Sequence, residues 1–307
     1  MRATPFHKGQ HCRDEELTAE LGACPLCGFS GERASVLTVQ RHPAVVLLEC
    51  PQCHGASASR MPKPEVLERY YAGYYDQGDT PVEKVTFSRP DRFARHIHRL
   101  CSPTPSSSEI RVLDFGGGDG SLSLALADRL VRSGADRVSI DLVDYAEPAQ
   151  AVRPGVTVRH ARSVSDVGAG GHHIVLASAI VEHLPDPSPE LLKLFSLMAP
   201  GGFFYARTPW MVPLLRIVER LGRPFDFTFP AHVHDMGRRY WEGVPRHLTV
   251  DSSRYTLVHS GPSVVETGLS DAPLRTVAAH VLKAPARVWR GWPFVGGWEV
   301  VYRLTRT

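Results

Sequence analysis

The stretch Val112-Leu113-Asp114-Phe115-Gly116-Gly117-Gly118-Asp119-Gly120-Ser121 decides how this chain is interpreted. The apolar run from Ile110 to Phe115 predicts a buried strand with one acid near its end, and Leu122 to Leu130 has the periodicity of a helix. The glycines between these two runs predict a tight turn. Because a glycine turn carries no Cβ atoms, its N–H groups and the N-terminus of the following helix can approach a ligand closely.

The spacing of the glycines separates two interpretations of this turn. A dinucleotide-binding fingerprint requires G-x-G-x-x-G, but Ser121 occupies the third glycine position counted from Gly116. The G-x-G-x-G spacing of Gly116, Gly118 and Gly120, preceded two residues earlier by an acid, instead resembles motif I of class I S-adenosylmethionine-dependent methyltransferases. In that family the loop lies along the methionine part of the cofactor.

Segments further along the chain continue the resemblance. The strand predicted for Arg137 to Tyr145 ends near Asp144, whose carboxylate can accept two hydrogen bonds from the ribose hydroxyls. Asp141 takes this role if the strand is shorter. A third strand, Val156 to Arg159, leads to Ala161, where the family usually contacts adenine.

Two more segments match in the family's order. The run from His173 to Pro187 is a strand followed by an E-H-L-P-D-P turn, similar to the segment after strand four of these methyltransferases. The run from Met198 to Tyr205 resembles their L-x-P-G-G turn into strand five, with Met198 in the leucine position. The four matches cover roughly residues 65 to 210. They imply an α/β fold with a Rossmann-like, seven-stranded sheet, and an enzyme that uses S-adenosyl-L-methionine.

An aromatic cluster, Tyr70-Tyr71-Ala72-Gly73-Tyr74-Tyr75-Asp76, precedes motif I. In similar enzymes such a segment folds over the cofactor as a lid, and aromatic faces can hold a sulfonium by cation–π attraction. Packing of a helix end is the alternative, and it is favoured more for Tyr70 and Tyr71 than for Tyr74 and Tyr75. The resemblance as a whole implies a set of cofactor-binding residues: Asp114, Gly116, Gly117, Gly118, Asp119, Gly120, Asp144, Tyr145, Ala161, Ser178 and Tyr75.

Two C-P-x-C pairs near the start of the chain predict a metal site. Cys24, Cys27, Cys50 and Cys53 have the C-x2-C…C-x2-C spacing that suits tetrahedral, structural Zn²⁺. A closed shell of four thiolates leaves no open position for catalysis. The alternatives are unrelated core cysteines, a disulfide framework, a redox pair, or His54 in place of one cysteine.

Composition indicates an ordinary intracellular enzyme. The 307 residues suffice for one full α/β domain and a small satellite. The net charge is only +3, and the arginines between 89 and 99 are interpreted as a solvated helix face, so nucleic acid is possible but disfavoured as a partner. No apolar run approaches the roughly 18 residues of a membrane helix, and no targeting segment is visible at Met1. We therefore expect a cytoplasmic protein without membrane insertion; the sequence is silent on its oligomeric state.

The chain divides into four predicted regions. Residues 1–20 are expected to be flexible, 21–60 to form a zinc-ribbon-like module, and 61–108 to provide helical cover and a linker. Residues 109–307 are expected to form the methyltransferase domain. Within it, an irregular segment at 222–249 follows strand five and is the expected substrate loop, because ligands bind beyond the carboxyl ends of parallel strands.

Candidate catalytic residues lie on this loop and after strand four. His232 and His234 lie in the loop, among aromatics expected to form substrate walls, and Glu182 and His183 follow strand four. A histidine titrates near neutrality and can take a proton from a hydroxyl as the methyl group arrives. His183 and His232 are equal candidates for the base; a packing role and a second metal at the H-x-H-D run are the alternatives.

The methyl acceptor is less defined by the sequence. N-terminal CxxC…CxxC modules joined to this domain occur in sugar methyltransferases of bacterial natural-product and surface-polysaccharide pathways, some of which methylate carbon. This chain lacks the long further C-terminal domain of the carbon-methylating group, which favours oxygen. We therefore expect O-methylation of a small-molecule or saccharide hydroxyl. Methylation of rRNA, tRNA or protein docked by the zinc module, C-methylation of a nucleotide sugar, and an inactive adaptor are the alternatives.

Overall fold

The computed structural model describes residues 9–75, 89–102, 109–145, 153–168, 170–265, 273–289 and 291–305. The strands in these ranges are β1 (Ala34–Gln40), β2 (Val45–Glu49), β3 (Ala56–Ala58), β4 (Glu109–Phe115), β5 (Arg137–Val143), β6 (Val156–Ala161), β7 (His172–Ser178), β8 (Met198–Thr208), β9 (His234–Asp235), β10 (Tyr255–Pro262) and β11 (Trp298–Leu304). The α-helices are α1 (Pro64–Tyr75), α2 (Pro90–Leu100), α3 (Ser121–Arg132), α4 (Ser188–Ser196), α5 (Val212–Arg220), α6 (Arg238–His247) and α7 (Pro273–Lys283). None of the helices in the described ranges has the length and hydropathy needed to cross a membrane.

A seven-stranded sheet forms the centre of the molecule, with strand order β10-β11-β8-β7-β4-β5-β6. The strands from β8 to β6 are parallel, whereas β11 is antiparallel to both of its neighbours. The predicted Rossmann-like α/β fold is confirmed. The final strand, β11, inserts antiparallel between β8 and β10, so β10 forms the edge of the sheet. The carboxyl ends of the parallel strands meet at one edge, which is where open α/β sheets bind ligands.

Two apolar clusters cover the sheet. On one face α2 and α3 bury residues such as Phe93 and Leu126 against Ile140 of β5. On the other face Tyr240 and Trp241 of α6 pack with residues of the sheet and with the cysteine-containing module. The module is therefore part of the same core rather than a separate satellite.

The segment 222–249 is not irregular throughout, because α6 occupies Arg238–His247. Gly243 and Pro245 lie inside this helix and disfavour it in isolation. It forms because tertiary burial outweighs propensity: Trp241 is completely buried, and its Nε1–H donates to Thr208 Oγ1 at 2.7 Å. The expectation of an irregular segment was wrong here for that reason.

A second, four-stranded sheet has the order β1-β2-β3-β9. Its first three strands come from the N-terminal module, but β9 comes from the expected substrate loop and pairs antiparallel with β3. The N–H of Ala58 donates to the carbonyl of Val233 at 2.8 Å, and the N–H of Val233 donates to the carbonyl of Glu182 at 2.9 Å. The loop is thus held between the module and the turn that follows β7.

Residues 9–20, expected to be flexible, pack on the module. Cys12 and Leu17 are buried in an apolar cluster with residues of β1 to β3. The N–H of Thr18 donates to the carbonyl of Met61 at 2.9 Å, and the N–H of Lys63 donates to the carbonyl of Glu16 at 2.9 Å. This segment closes the outer side of the module.

Replacing Trp241 by phenylalanine tests whether α6 is a packed helix. The change keeps most of the apolar volume but removes the Nε1–H donor from a buried pair, which costs about 1–3 kcal/mol. We expect the free energy of unfolding in urea to fall by that amount. The exposed neighbour Arg239→Ala should change it by less than about 0.5 kcal/mol. Equal effects of the two substitutions would contradict the packing.

Candidate active site

The glycine turn has a backbone that needs glycine at several positions. Gly116, Gly118 and Gly120 have φ angles of +69°, +57° and +72°, in the left-handed region. A Cβ on Gly116 would lie 2.4 Å from the side chain of Ile180, and one on Gly117 would lie 2.5 Å from Asp114 Oδ2. The turn therefore packs tightly against the strand below it and against the segment after β7.

Asp114 lies beneath this turn rather than on its surface. Its side chain is buried, and burial raises its pKa to about 7. Oδ2 has no hydrogen-bond partner among the described residues, while the hydroxyl of Ser123 interacts with the carboxyl group. Asp114 therefore supports the turn from below.

Asp144 joins the next two strands to the glycine turn. Its Oδ2 accepts the N–H of Gly118 at 2.8 Å, so the carboxylate lies directly beside the turn. Its backbone N–H donates to the carbonyl of Ala161 at 3.1 Å. The structure thus brings three of the predicted segments together. Tyr145, next in sequence, is 77% exposed.

Asp141, the alternative to Asp144, has other partners. It lies within β5, where its two oxygens contact His172 Nε2 and Arg159 Nε, both at 2.7 Å. Burial raises its pKa, but these hydrogen bonds and charges outweigh burial and lower it below its usual value. Both oxygens of Asp141 are therefore occupied within the sheet, and Asp144 is the acid that lies just beyond the carboxyl end of β5.

His183 and His232 lie side by side at the carboxyl edge of the sheet. Both are half-buried, and their ring centroids are 4.7 Å apart. The carboxylate of Glu182, which is buried, offers an oxygen within 4.8 Å of a nitrogen of each ring. Two imidazoles and one carboxylate therefore converge, with Glu182 and His183 from the turn after β7 and His232 from the expected substrate loop.

The hydrogen bonds of His183 define its tautomer. Its Nδ1 lies 2.9 Å from the carbonyl oxygen of Ala231 and 2.9 Å from the hydroxyl of Tyr71. A carbonyl oxygen only accepts, so Nδ1 carries the proton and the lone pair lies on Nε2. That arrangement suits a base whose orientation is fixed from behind.

His234 has a structural role in this fold. It is completely buried; Nε2–H donates to the carbonyl of Leu184 at 2.8 Å, and Nδ1 accepts from the hydroxyl of Ser57 at 2.9 Å. Burial lowers its pKa to about 4, so it is neutral at physiological pH. Both ring nitrogens are used, and His234 is therefore a poor candidate for the catalytic role that the sequence suggested.

Asp235 also serves the fold. Its carboxylate accepts the N–H of Met211 at 2.9 Å and that of Val212 at 3.3 Å, and so caps the first turn of α5. Burial raises its pKa to about 7. Since His234 and Asp235 both face the interior with protein partners, the H-x-H-D run does not form a metal site.

The aromatic residues have different positions from those expected. Phe227 and Phe229 are buried with the N-terminal module and are not substrate walls. Tyr71 on α1, for which packing of a helix end was favoured, instead contacts His183. The sequence signal for this role was its place in the aromatic cluster before motif I. The side chain of Tyr75 lies outside the described residues.

Ser178 ends β7 and is engaged by a residue that the sequence analysis missed. Its Oγ accepts Nε–H of Arg207 at 3.0 Å, and the guanidinium lies 4.9 Å from the ring centroid of Phe93. Arg207 is almost completely buried near the carboxyl end of β8. The sequence signal that could have identified Arg207 was an arginine near the end of a buried strand, shortly before the expected substrate loop.

The four cysteines also converge. Cys24 Sγ is 3.8 Å from Cys53 Sγ, and Cys27 Sγ is 3.7 Å from Cys50 Sγ. After each pair the chain turns back through a left-handed residue, Gly28 and His54. His54 is not among the four residues whose ligand atoms cluster.

This fold, with a glycine turn after β4 and an acid after β5, is that of the class I S-adenosylmethionine-dependent methyltransferases. The sequence matches a family model described as a methyltransferase domain over residues 87–255, more than half of the chain. The chain belongs to that family, and the resemblance noted from motif I is confirmed.

Individual relatives are more distant. Ubiquinone biosynthesis O-methyltransferase of Pectobacterium atrosepticum is 31% identical over 120 residues, which cover 34% of this chain and 47% of that protein. The corresponding protein of Bordetella avium is 32% identical over 105 residues, covering 32% and 42%. The chain spans about half the length of the curated relatives it matches.

Among solved structures, Burkholderia thailandensis 1,6-didemethyltoxoflavin-N1-methyltransferase, determined with 1,6-didemethyltoxoflavin and S-adenosylhomocysteine, has a TM-score of 0.49 and 16% identity. The match covers 85% of this chain and 95% of that chain. Plantazolicin methyltransferase BpumL has a TM-score of 0.46 and 13% identity over 79% of this chain and 91% of its own.

The buried carboxyl of Asp114 predicts a definite pH dependence. Its pKa of about 7 in the folded protein exceeds the ordinary value of about 3.9. The folded state therefore keeps a proton that the unfolded state loses, and stability falls as pH rises from about 4 to about 7. Asp114→Asn removes this penalty. Its free energy of unfolding relative to the wild type should rise across that window by on the order of a few kcal/mol.

Urea unfolding of both proteins between pH 4 and pH 8 measures this difference. Asp235 has a similarly raised pKa, but it is present in both proteins and cancels. The exposed Asp136→Asn is the matched control and should show a flat difference. A flat difference for Asp114→Asn as well would contradict the burial of an acid under the glycine turn.

Proposed function

We propose that this protein transfers a methyl group from S-adenosyl-L-methionine to a hydroxyl group of a small molecule, with His183 as the general base. The observation that carries the proposal is the His183–His232 pair at the ligand-binding edge of the sheet, with the lone pair of His183 on Nε2. The glycine turn packs against Ile180, three residues before His183, so the base lies close to the expected cofactor.

The cofactor-binding residues in this proposal are those of the glycine turn and the strand ends around it. The turn from Gly116 to Gly120, whose glycines carry no side chains, would lie along the methionine part, and the carboxylate of Asp144, which also accepts the N–H of Gly118, would accept the ribose hydroxyls. Ala161 ends β6 and Tyr145 is exposed beside Asp144, so both fit the adenine side. Asp114 contributes by supporting the turn. The positions of Asp119 and Ser178 at the same edge are compatible with a role for each.

When bound, the sulfonium cofactor supplies an already activated methyl group, so the protein mainly aligns the acceptor and removes its proton. His183 takes the proton of the acceptor hydroxyl on Nε2 while the carbonyl of Ala231 holds Nδ1–H. The imidazolium that forms is stabilised by the nearby carboxylate of Glu182. His232 packs against His183 from the substrate loop and shapes the acceptor side.

The class of acceptor is supported by two observations. Relatives named ubiquinone biosynthesis O-methyltransferase methylate oxygen, as their name states. The CxxC…CxxC module resembles that of bacterial sugar and natural-product methyltransferases, and within this proposal a saccharide or natural-product hydroxyl is the particular acceptor. A macromolecular acceptor docked by the module is the alternative outcome.

We also propose that the four cysteines hold a structural Zn²⁺. At a zinc–sulfur distance of about 2.3 Å, tetrahedral coordination spaces the sulfurs about 3.8 Å apart, and the Cys24–Cys53 and Cys27–Cys50 sulfur distances of 3.8 and 3.7 Å fit that spacing. All four positions of the ion are then filled, so its effect is on folding. It would stabilise the module that pairs with β9 and the substrate loop.

Loss of the metal should loosen the substrate loop as well as the module. Cys53→Ser is expected to lower the zinc content by one equivalent per chain and to create new protease cleavage sites near β9, since β3 loses its support. Zinc content and limited proteolysis measure the two effects. Cys12→Ala, in the same region but outside the quartet, should keep both at wild-type values. Full zinc content in Cys53→Ser would refute the site.

Alanine substitution tests the base. His183→Ala should lower turnover by about 10²–10⁴-fold, the usual contribution of general base catalysis, while the affinity for S-adenosylmethionine stays close to that of the wild type. His232→Ala should lower turnover by a smaller factor. Formation of S-adenosylhomocysteine with a small-molecule cell extract measures turnover, and calorimetry measures binding. The exposed His280→Ala should change neither. Unchanged turnover in His183→Ala would reject its assignment as the base, whatever the result for His232→Ala.

A further inference from the structure

A second group of metal-ligand side chains lies away from the glycine turn, on α2 and the antiparallel edge of the sheet. Nε2 of His96 is 2.6 Å from Oε1 of Glu299, and Nε2 of His259 is 3.2 Å from the same oxygen. The three side chains come from α2, β10 and β11, and their ligand atoms lie within 4.8 Å of one another. The proposed methyl transfer uses none of them.

The carboxylate in this group is fixed and deeply placed. Glu299 is 1% exposed, and its other oxygen, Oε2, accepts the hydroxyl of Tyr205 at 3.0 Å. A hydrogen bond to the outer oxygen of a carboxylate is the usual support for a metal ligand. The histidine side chains are 19% and 30% exposed, so an ion can enter from solvent through them.

The backbone is arranged to let His259 reach Glu299. Gly261 is directly opposite Glu299 in the β10–β11 ladder, and a Cβ on Gly261 would lie 3.2 Å from both Cε1 and Nε2 of His259. The absence of that Cβ leaves room for the imidazole to lie across the strand. The ladder also shifts register between Leu257 and His259, and such an irregularity re-aims the side chains that follow it.

From this geometry we propose that His96, His259 and Glu299 bind a divalent first-row transition metal ion such as Zn²⁺. Two imidazoles and one carboxylate form a donor set that such ions prefer over Mg²⁺ or Ca²⁺. Each imidazole binds through Nε2, with its proton on Nδ1. The ion takes the place of two hydrogen bonds to one oxygen and offsets the charge of a buried carboxylate.

The ion would tie α2 to the two antiparallel strands. Glu299 pairs in register with Arg207 on β8, and Phe93 on α2 lies under the guanidinium of Arg207. The site thus secures the helix that packs beneath Arg207 at the ligand-binding edge. It remains separate from the cysteine quartet, whose four ligands are all sulfur.

Titration with Co²⁺ distinguishes the sites. The full chain is first loaded with one equivalent of Zn²⁺ and then titrated with Co²⁺ under reducing conditions. Cobalt bound to nitrogen and oxygen has visible d–d bands without the sulfur-to-cobalt charge transfer of a thiolate site. We expect a second equivalent with d–d bands alone, and His96→Ala and His259→Ala should each weaken it about tenfold or more, since one of three ligands is lost.

Two variants serve as controls, and circular dichroism verifies that every variant is folded. His98→Ala, on the same helix but outside the group, should bind like the wild type. His232→Ala tests the other histidine–carboxylate group and should also bind normally. Absence of a second equivalent in the wild type, or its persistence in both His96→Ala and His259→Ala, would overturn the proposal. So would its loss in His232→Ala alone. The readout is independent of methyl transfer.

Discussion

The two backbone hydrogen bonds of Val233 hold the functional region together. Its N–H donates to the carbonyl of Glu182, and its carbonyl accepts the N–H of Ala58. A buried backbone group left without a partner costs about 1–3 kcal/mol, so the N-terminal module, the substrate loop and the turn after β7 are stable together. His232 directly precedes Val233, and this constraint holds its ring against that of His183.

It follows that the cysteine module is a structural part of the candidate active site. β3 pairs with β9, and His234 extends the same connection through Ser57 on one side and Leu184 on the other. The module supplies no residue to the proposed chemistry. Its contribution is to fix the segment on which the acceptor side is built, and a closed four-sulfur metal shell is suited to that role.

Local sequence signals predicted the centre of the fold but not the packing of the loop. Glycine spacing and apolar runs are encoded within a few residues, and the turn beside Asp144 formed where they indicated. The roles of His234 and Asp235 depend on partners far away in the sequence, so no nearby pattern distinguishes them from His232. The helix around Gly243 was missed for a similar reason, because burial against the sheet outweighs its poor helix propensity.

The measurement that tests the central claim most directly is the fate of a labelled methyl group. The chain is incubated with methyl-labelled S-adenosylmethionine and an extract of its source cells, which is then separated into small-molecule, polysaccharide, RNA and protein fractions. The account predicts label in the small-molecule or glycan fraction, bound to oxygen and resistant to nuclease and protease. Label that nuclease or protease removes, or a methyl group on carbon, would contradict it.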